Sequence, residues 1–249
     1  MKYRIRSKIS YLLKARHRKG HGIHSPFLFR LITKVIENTG FFSAYPKLEA
    51  AEEHVRGMVS MLDVESWREP VSTLSGIAVR MKPNEHLLSS RFNRLLFRLV
   101  DDFSPGQISF CGNTFGVTLL ALAVADSRIP IAAIVPNHHH RSFCMRVAEE
   151  FDAPNVAVME RGSLADSDFL VVQYPEDATS CDLILTQVLG NPSFAGVVVV
   201  CGIHSSRETE EVWNNFKGLD RVRVSLDLFE IGIFICKNGL QKEDFVVRF

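Results

Sequence analysis

The second half of the chain alternates between short apolar runs and amphipathic stretches. Apolar runs of this length predict buried strands, and they occupy residues 131–135, 156–159, 169–173, 197–201, 222–226 and 231–236. Helical periodicity follows the first run and recurs over residues 179–189 and 206–216. Such alternation predicts a parallel sheet covered by helices on both faces. The last two runs are joined by Leu-Asp-Leu-Phe-Glu, which is too short for a crossover helix, so these strands should be antiparallel.

The first half of the chain has a helical pattern. Ser25 and Pro26 form a typical helix start, and apolar residues then recur at helical spacing until Gly40. The same periodicity predicts two further helices, over residues 46–62 and 87–103.

Composition predicts one main folded domain. With 249 residues, of which 46% are hydrophobic and 23% charged, the chain can bury one sizeable core. Residues 65–85 contain Pro, Ser and Gly without clear periodicity, which predicts a linker. We therefore divide the chain into an N-terminal basic arm with a helical extension, residues 1–85, and a main domain, residues 86–249.

Membrane segments and disulfides are not predicted. No window approaches the ~18 apolar residues of a membrane span, and charges occupy the N-terminal positions where a signal peptide would need its apolar segment. The five cysteines lack Cys-x-x-Cys spacing, and several lie in apolar runs, so we interpret them as reduced core thiols. These features predict a cytoplasmic protein.

Residues 108–123, ISFCGNTFGVTLLALA, form the stretch around which the chain is organised. An apolar strand ends at Gly112, a second glycine follows at Gly116, and a helix of small residues continues from there. Glycine lets a ligand approach the backbone closely, and the first N–H groups of a helix have no partner within it. The stretch predicts either a nucleotide-type ligand loop or a tight strand-to-helix connection without a ligand.

A net charge of +1 conceals a strong asymmetry. Residues 1–30 contain nine basic residues and no acid, which leaves 20 basic and 28 acidic residues in the rest of the chain. Apolar residues between the basic ones give this arm an apolar stripe. The arm is therefore either a helix docked on the acidic body of its own domain or of another subunit of a homo-oligomer, or a contact for nucleic acid or a membrane surface.

Two groups of histidines invite a metal interpretation: His21 with His24, and the run at residues 138–140. Consecutive side chains point to opposite faces of a strand and lie about 100° apart on a helix, so three neighbouring rings do not readily meet at one ion. His21 and His24 precede a capped helix, where histidines are usually structural. We predict no metal site.

Several segments together resemble a bacterial group of class I S-adenosylmethionine-dependent methyltransferases, of the small-molecule O-methyltransferase type. The shared segments are Ile-His-Ser-Pro-Phe, Arg-Leu-Leu-Phe-Arg-Leu-Val, the glycine loop, Gly-Ile-His before a helix with Trp213, and the C-terminal Asp-Leu-Phe-Glu-Ile-Gly-Ile-Phe-Ile-Cys-Lys and Phe-Val-Val-Arg-Phe. The resemblance implies a doubly wound, Rossmann-like α/β domain with an N-terminal helical extension. Its sheet would have seven strands in the order 3-2-1-4-5-7-6, the last antiparallel, with S-adenosyl-L-methionine at the carboxyl ends of the first strands.

The acidic positions that this resemblance implies are replaced. Phe110 stands at the end of the first strand, Asn137 follows the second, Gln173 ends the fourth, and Cys201 and Gly202 stand where paired Asp residues are usual. Each missing charge-assisted hydrogen bond would forgo roughly 1.5–3 kcal/mol of cofactor binding. The cofactor contacts that the resemblance leaves are neutral: Gly112, Asn113, Thr114, Gly116, Asn137 and Gln173.

Two functions are consistent with these residues. The first is a methyltransferase for an unknown small acceptor, in which the protein aligns the methyl group with an acceptor oxygen or nitrogen and a base removes the acceptor proton. His204 is the candidate base, with capping of the next helix as its structural alternative. The second is a catalytically inactive methyltransferase-fold protein, kept for binding or scaffolding, with the basic arm as its contact surface.

Overall fold

A computed structural model describes residues 2–15, 22–61, 71–72, 78–79, 87–164, 167–173 and 178–249. The chain packs as two compact units. Residues 1–38 and 164–249 form the first unit, and residues 39–163 form the second. The domain boundary predicted between residues 85 and 86 lies outside the described residues and stays a prediction.

The helices of the described residues follow the predicted periodicity. They are α1 Lys2–Lys14, α2 Pro26–Arg30 with a π-helical continuation Leu31–Ile36, α3 Tyr45–Ser60, α4 Ser90–Phe103, α5 Val117–Ala123, α6 His138–Glu150, α7 Ala178–Leu189 and α8 Arg207–Lys217. Ser25 Oγ accepts a hydrogen bond from Leu28 N over 3.4 Å, which confirms the predicted start of α2. This helical segment ends at Ile36, before Gly40, and Leu62, the predicted end of α3, lies outside the described residues.

The strands of the main sheet confirm the apolar runs to within two residues. They are β1 Ile108–Gly112, β2 Ile131–Ile134, β3 Val156–Met159, β4 Phe169–Gln173, β5 Val197–Cys201, β6 Val224–Asp227, β7 Ile231–Ile235 and β8 Glu243–Val246. Inside the predicted linker, Val71–Ser72 pairs antiparallel with Ala78–Val79, and the rest of the linker lies outside the described residues.

The strand order of the described sheet is 3-2-1-4-5-7-6-8. Its first seven positions match the predicted order. Strand β7 runs antiparallel to β6, as the short link predicted, and also to β5, as the resemblance implied. The prediction of seven strands was one short, because β8 pairs parallel with β6 at the edge. A doubly wound, Rossmann-like α/β fold is thus confirmed.

The first unit is built on the fully buried strands β4, β5 and β7. In β4 and β5, Phe169 lies opposite Val197 in a parallel register. Trp213 of α8 stacks on Phe234 of β7, with ring centroids 4.1 Å apart and planes at 11°. A Cβ on Gly232 would lie 2.4 Å from Trp213 Cζ3, so the indole needs glycine at this position.

The second unit contains the parallel strands β1, β2 and β3 and four helices, α3 to α6. Asn93 of α4 is buried and links two other helices. Its Nδ2 donates to Glu52 Oε1 of α3 over 3.0 Å, and its Oδ1 accepts from Thr118 Oγ1 of α5 over 3.2 Å. These bonds satisfy a buried amide and connect α5, the helix that follows the glycine loop, to α3 and α4.

Helix α1 docks on its own unit through one face. Tyr3 Oη donates to Glu210 Oε2 over 2.5 Å, and Tyr11 Oη donates to the main-chain oxygen of Val247 over 2.6 Å. Of the alternatives predicted for the basic arm, the described helix therefore adopts docking on its own chain.

The five cysteines are free and buried, which confirms their interpretation as core thiols. Burial raises the pKa of Cys236 to about 11, so its thiol stays protonated near neutral pH. None of the helices among the described residues is long and apolar enough to cross a membrane.

Candidate functional site

Two glycines with positive φ hold the loop after β1. Gly112 at the end of β1 has a φ of 135°, and Gly116, which precedes α5, has a φ of 92°. A Cβ on Gly116 would also lie 2.8 Å from Val147 Cβ of α6. Backbone conformation and helix packing each require glycine at position 116, so the glycine spacing alone does not demand a ligand.

Asn113, Thr114 and Asn137 lie together at this loop. Asn137 N donates to Asn113 Oδ1 over 3.3 Å, while Cys144 Sγ donates to the Thr114 carbonyl over 3.2 Å. Asn137 Oδ1 accepts from His140 N over 3.0 Å and thereby caps α6. The exposed fractions of Asn113, Thr114 and Asn137 are 2%, 1% and 9%. The second unit thus brings the predicted residues of the loop next to Asn137.

The loop is lined by hydrocarbon where the resemblance implies a carboxylate. Phe110 and Phe115 are both fully buried. The Phe115 ring lies 4.6 Å from the His140 ring and 5.3 Å from the Phe143 ring. Residues 110–117 include no acid. The loop therefore offers amides and a hydroxyl, but no negative charge for a cationic group.

The run of histidines forms the first turn of α6. The His138 and His139 rings lie 3.8 Å apart, whereas the His140 side chain is buried. Across the described parts of the chain, no three His, Cys, Asp or Glu residues are grouped so that they could hold an ion. His21 lies outside the described residues, and the predicted lack of a metal site stays a prediction.

Gln173 and His204 belong to the first unit. Gln173 ends β4 and is fully buried, and His204 follows β5 just after Gly202, which has a φ of 80°. His204 does not cap the next helix. Ser206 Oγ accepts from Thr209 N over 3.2 Å and caps α8, so the capping alternative for His204 is wrong.

His204 lies in a cluster with Ser7, Glu210 and Asp227. Its Nε2 is 2.8 Å from Asp227 Oδ2, and its Nδ1 is 2.9 Å from Ser7 Oγ and 3.0 Å from Glu210 Oε2. Phe229 stacks on the imidazole, with ring centroids 5.3 Å apart. One histidine ring therefore connects α1, α8 and the end of β6.

Opposing effects set the protonation of this cluster. Burial lowers the pKa of His204, but hydrogen bonds and charge from Asp227 and Glu210 outweigh it, and the pKa is raised overall. Burial raises the pKa of Glu210, but hydrogen bonds from Tyr3, His204 and Ser7 and the His204 charge lower it overall. The two carboxylates favour the protonated form of His204, and only the neutral imidazole, which predominates above the raised pKa, can accept a proton.

A cavity of about 250 Å³ borders the cluster. Its walls include Lys14 of α1, Lys217 of α8, Asp244 of β8 and His204 itself. Drug-sized ligands occupy about 300–1,000 Å³. The cavity therefore suits only a small polar molecule or water.

Sequence reasoning singled out His204 and missed its partners. Ser7, Glu210 and Asp227 are 197, 6 and 23 residues away along the chain, so no local spacing connects the four. In the sequence, Asp227 lies in the short link between the last two predicted strands. The one available signal was an acid at the carboxyl end of a buried strand.

Comparisons with known proteins place the fold. No protein-family model matches the sequence, and no curated protein does. The structure is similar to that of the Podospora anserina methyltransferase PaMTH1 bound to SAH, with a TM-score of 0.59 and 12% identity over 87% of this chain and 97% of that one.

Two bacterial structures show the same similarity. An O-methyltransferase from Bacillus cereus in complex with SAH has a TM-score of 0.54 and 12% identity, over 84% of this chain and 97% of that one. TomG, an O-methyltransferase of Streptomyces achromogenes involved in tomaymycin synthesis, solved with SAM, has a TM-score of 0.51 and 13% identity, over 72% of this chain and 100% of that one. At these identities the similarity is one of fold.

Proposed function

We propose that this protein is a methyltransferase that uses S-adenosyl-L-methionine to methylate a small acceptor. The observation that carries the proposal is the loop after β1, where Gly112 and Gly116 hold positive φ and Asn113 is hydrogen-bonded to Asn137 after β2. Open α/β sheets bind ligands at the carboxyl ends of such strands. The three structures named above share this fold and were solved with SAH or SAM.

The loop residues suit the uncharged part of that cofactor. Asn113, Thr114 and Asn137 carry amide and hydroxyl groups that can bond to ribose and adenine. Because Asn137 Oδ1 caps α6, its Nδ2 is the atom that would donate to a ribose oxygen. When bound, the cofactor would supply a methyl group on a cationic sulfur.

The loop does not suit the ammonium of the cofactor equally well. Phe110 is fully buried and offers no counter-charge. We therefore expect weak binding, with a Kd above roughly 100 μM. Gln173, at the end of β4, is proposed as a neutral contact of the cofactor.

His204 is the proposed base. Asp227 and Glu210 orient its ring, and their charges stabilise the imidazolium that proton removal from the acceptor would form. Since the pKa of His204 is raised, transfer that depends on this base should become faster as the pH rises through that pKa.

The second candidate is a catalytically inactive methyltransferase-fold protein that binds or scaffolds a partner. Two observations favour it: the buried Phe110 ring, and the engagement of both nitrogens of His204 by carboxylates. Such a protein would keep the sheet and lose the cofactor.

Isothermal titration with S-adenosylmethionine and S-adenosylhomocysteine separates the two candidates. The methyltransferase proposal expects saturable binding that Asn113→Ala weakens about fivefold, because an amide contact is lost. Asn215→Ala, the same change at an exposed position of α8, is the matched control and should leave binding unchanged. Thermal melts establish that both variants are folded. Lack of binding at about 5 mM of either ligand would rule out cofactor use and leave the non-catalytic candidate.

The base is tested separately. With the methyl-labelled cofactor and a pool of small hydroxyl and amine compounds, His204→Gln should keep cofactor binding and lose label transfer. Equal transfer by the wild type and His204→Gln would remove His204 from the mechanism.

A further inference from the structure

The outward face of α1 is apolar and exposed. Ile5, Ile9, Leu12 and Leu13 are 57%, 56%, 46% and 74% exposed, and their spacing places them on one side of the helix. Together these four residues are named the α1 stripe. The docking contacts of α1 lie on the opposite side, so they do not account for the stripe. A contiguous exposed apolar surface of this kind usually marks a contact site.

Basic side chains border the α1 stripe on both sides. Arg6 and Lys8 are exposed, and at about 100° per residue they fall on opposite edges of it. Arg4 also projects from the helix, and its ion pair with Glu230 spans 3.1 Å while its side chain stays 59% exposed. Residues 1–30 contain nine basic residues and no acid. This face of α1 therefore combines hydrocarbon with the positive charges of Arg6 and Lys8.

We propose that the α1 stripe and its basic borders bind an anionic lipid surface, with α1 lying parallel to that surface. The aliphatic side chains would enter the boundary between headgroups and acyl chains, and Arg6 and Lys8 would contact lipid phosphates. With 13 residues, α1 is shorter than the roughly 20 needed to cross a bilayer, so the binding is peripheral. The docked face of α1 would then hold the first unit at the membrane.

The chemistry of this face fits an anionic lipid surface better than it fits single-stranded nucleic acid or a second copy of the chain. Single-stranded nucleic acid is held by aromatic stacking as well as by positive charge, and the α1 stripe is aliphatic. A second copy docked through the same face would bring Arg6 and Lys8 of both copies together, and like charges across an interface disfavour association. An anionic bilayer matches both the charge and the hydrocarbon.

Vesicle co-sedimentation of the full chain tests the proposal. Binding is expected to phosphatidylcholine vesicles that contain about 30% phosphatidylglycerol, with little binding to phosphatidylcholine alone and a marked loss at about 0.5 M salt. Leu13→Glu should weaken partitioning about tenfold, because it places a charge in the apolar face. Leu183→Glu, on α7 at 51% exposure, is the matched control and should bind like the wild type. Arg6→Gln combined with Lys8→Gln should weaken partitioning about tenfold, through lost phosphate attraction.

Thermal melts show whether each variant is folded, and Ile9→Glu replaces Leu13→Glu if that variant is not. The proposal is overturned if the wild type does not bind anionic vesicles, or if Leu13→Glu and Leu183→Glu weaken binding equally. It is also overturned by sedimentation velocity if the wild type is a dimer that Leu13→Glu dissociates, because the stripe then belongs to a second copy.

Discussion

His204 and Asp227 are joined by a hydrogen bond of 2.8 Å between Nε2 and Oδ2. Glu210 closes the other side of the ring, with its Oε2 3.0 Å from Nδ1. The imidazole is 8% exposed, so the solvent screens these contacts little. The ring therefore joins, through hydrogen bonds, elements that are distant in the sequence.

The free energy of unfolding should depend on pH through this cluster. The raised pKa of His204 means that its contribution is complete below the unfolded value of 6.5 and is lost as the pH rises through the folded pKa. The lowered pKa of Glu210 acts in the opposite sense, so its contribution is complete above 4.5 and is lost as the pH falls through the folded value. The cluster thus stabilises the fold most between pH 4.5 and pH 6.5, where both contributions are complete.

Urea unfolding between about pH 5 and pH 9 measures this dependence. Wild-type stability should decline above pH 6.5, and His204→Gln should flatten that decline. His138→Gln, on the exposed first turn of α6, is the control and should keep it. An unchanged slope in His204→Gln would show that other groups are responsible.

Gly116→Ala should destabilise the second unit for two separable reasons. The φ of 92° costs an L-residue about 1–2 kcal/mol, and the new Cβ would lie 2.8 Å from Val147 Cβ. Val147→Gly removes the Cβ that causes this contact, so the loss in the double variant should fall below the sum of the single losses by about 1 kcal/mol or more. Urea unfolding of the wild type, the two single variants and the double variant gives the coupling free energy between positions 116 and 147. Additive losses would mean that backbone strain alone requires this glycine.

Restoring acids near the loop should tighten binding of S-adenosylmethionine. Phe110→Glu places a carboxylate at a fully buried position, which costs several kcal/mol without a ligand, whereas Pro136 is partly exposed and tolerates Pro136→Glu better than the fully buried Val135 would. The double variant Phe110→Glu with Pro136→Glu should bind about tenfold more tightly than the wild type.

Phe110→Gln with Pro136→Gln is the neutral control for that experiment. It should not tighten binding, because it adds no charge. Thermal melts without ligand come first, since an unfolded variant would imitate a negative result. Low-micromolar affinity in the wild type would contradict the interpretation that the cofactor motifs are degenerate and would place the contacts on neutral groups.

Gly232→Ala and Gly57→Ala should change stability in opposite directions. The Cβ at position 232 would lie 2.4 Å from Trp213 Cζ3, and overpacking of this kind costs about 1–3 kcal/mol. At position 57, in the last turn of α3, nothing lies within 4 Å of the new Cβ, and alanine within a helix is favoured over glycine by about 0.5–1 kcal/mol. The melting temperature should therefore fall in Gly232→Ala and rise in Gly57→Ala. Equal shifts would mean that Trp213 moves aside at little cost.

The sheet was predictable because its inner strands are buried on both faces. β5 has the sequence Val-Val-Val-Val-Cys and is buried throughout, so its apolar sequence alone predicts a buried strand. β8 has the sequence Glu-Asp-Phe-Val, and only Phe245 is buried in it. The strand therefore lacks the continuous apolar run by which the inner strands were predicted. The order of the first seven strands came from the family resemblance, not from periodicity.

The cluster around His204 was not predictable in the same way. Ser7 and His204 are 197 residues apart, and their contact depends on where α1 docks. Burial of the glycine loop was equally hidden, because the packing of Phe115 against His140 and Phe143 is set by tertiary structure. Local patterns identify elements, whereas a polar site assembled across the chain needs the fold first.

The contact between Tyr11 and Val247 spans 236 residues of chain. During synthesis α1 emerges long before the residues against which it packs. At about 5–20 residues per second, the ribosome needs roughly 10–50 s to complete that interval. For this time the docked face of α1 lacks the residues that later cover it, so the whole circumference of a basic amphipathic helix is available to a membrane surface or a chaperone.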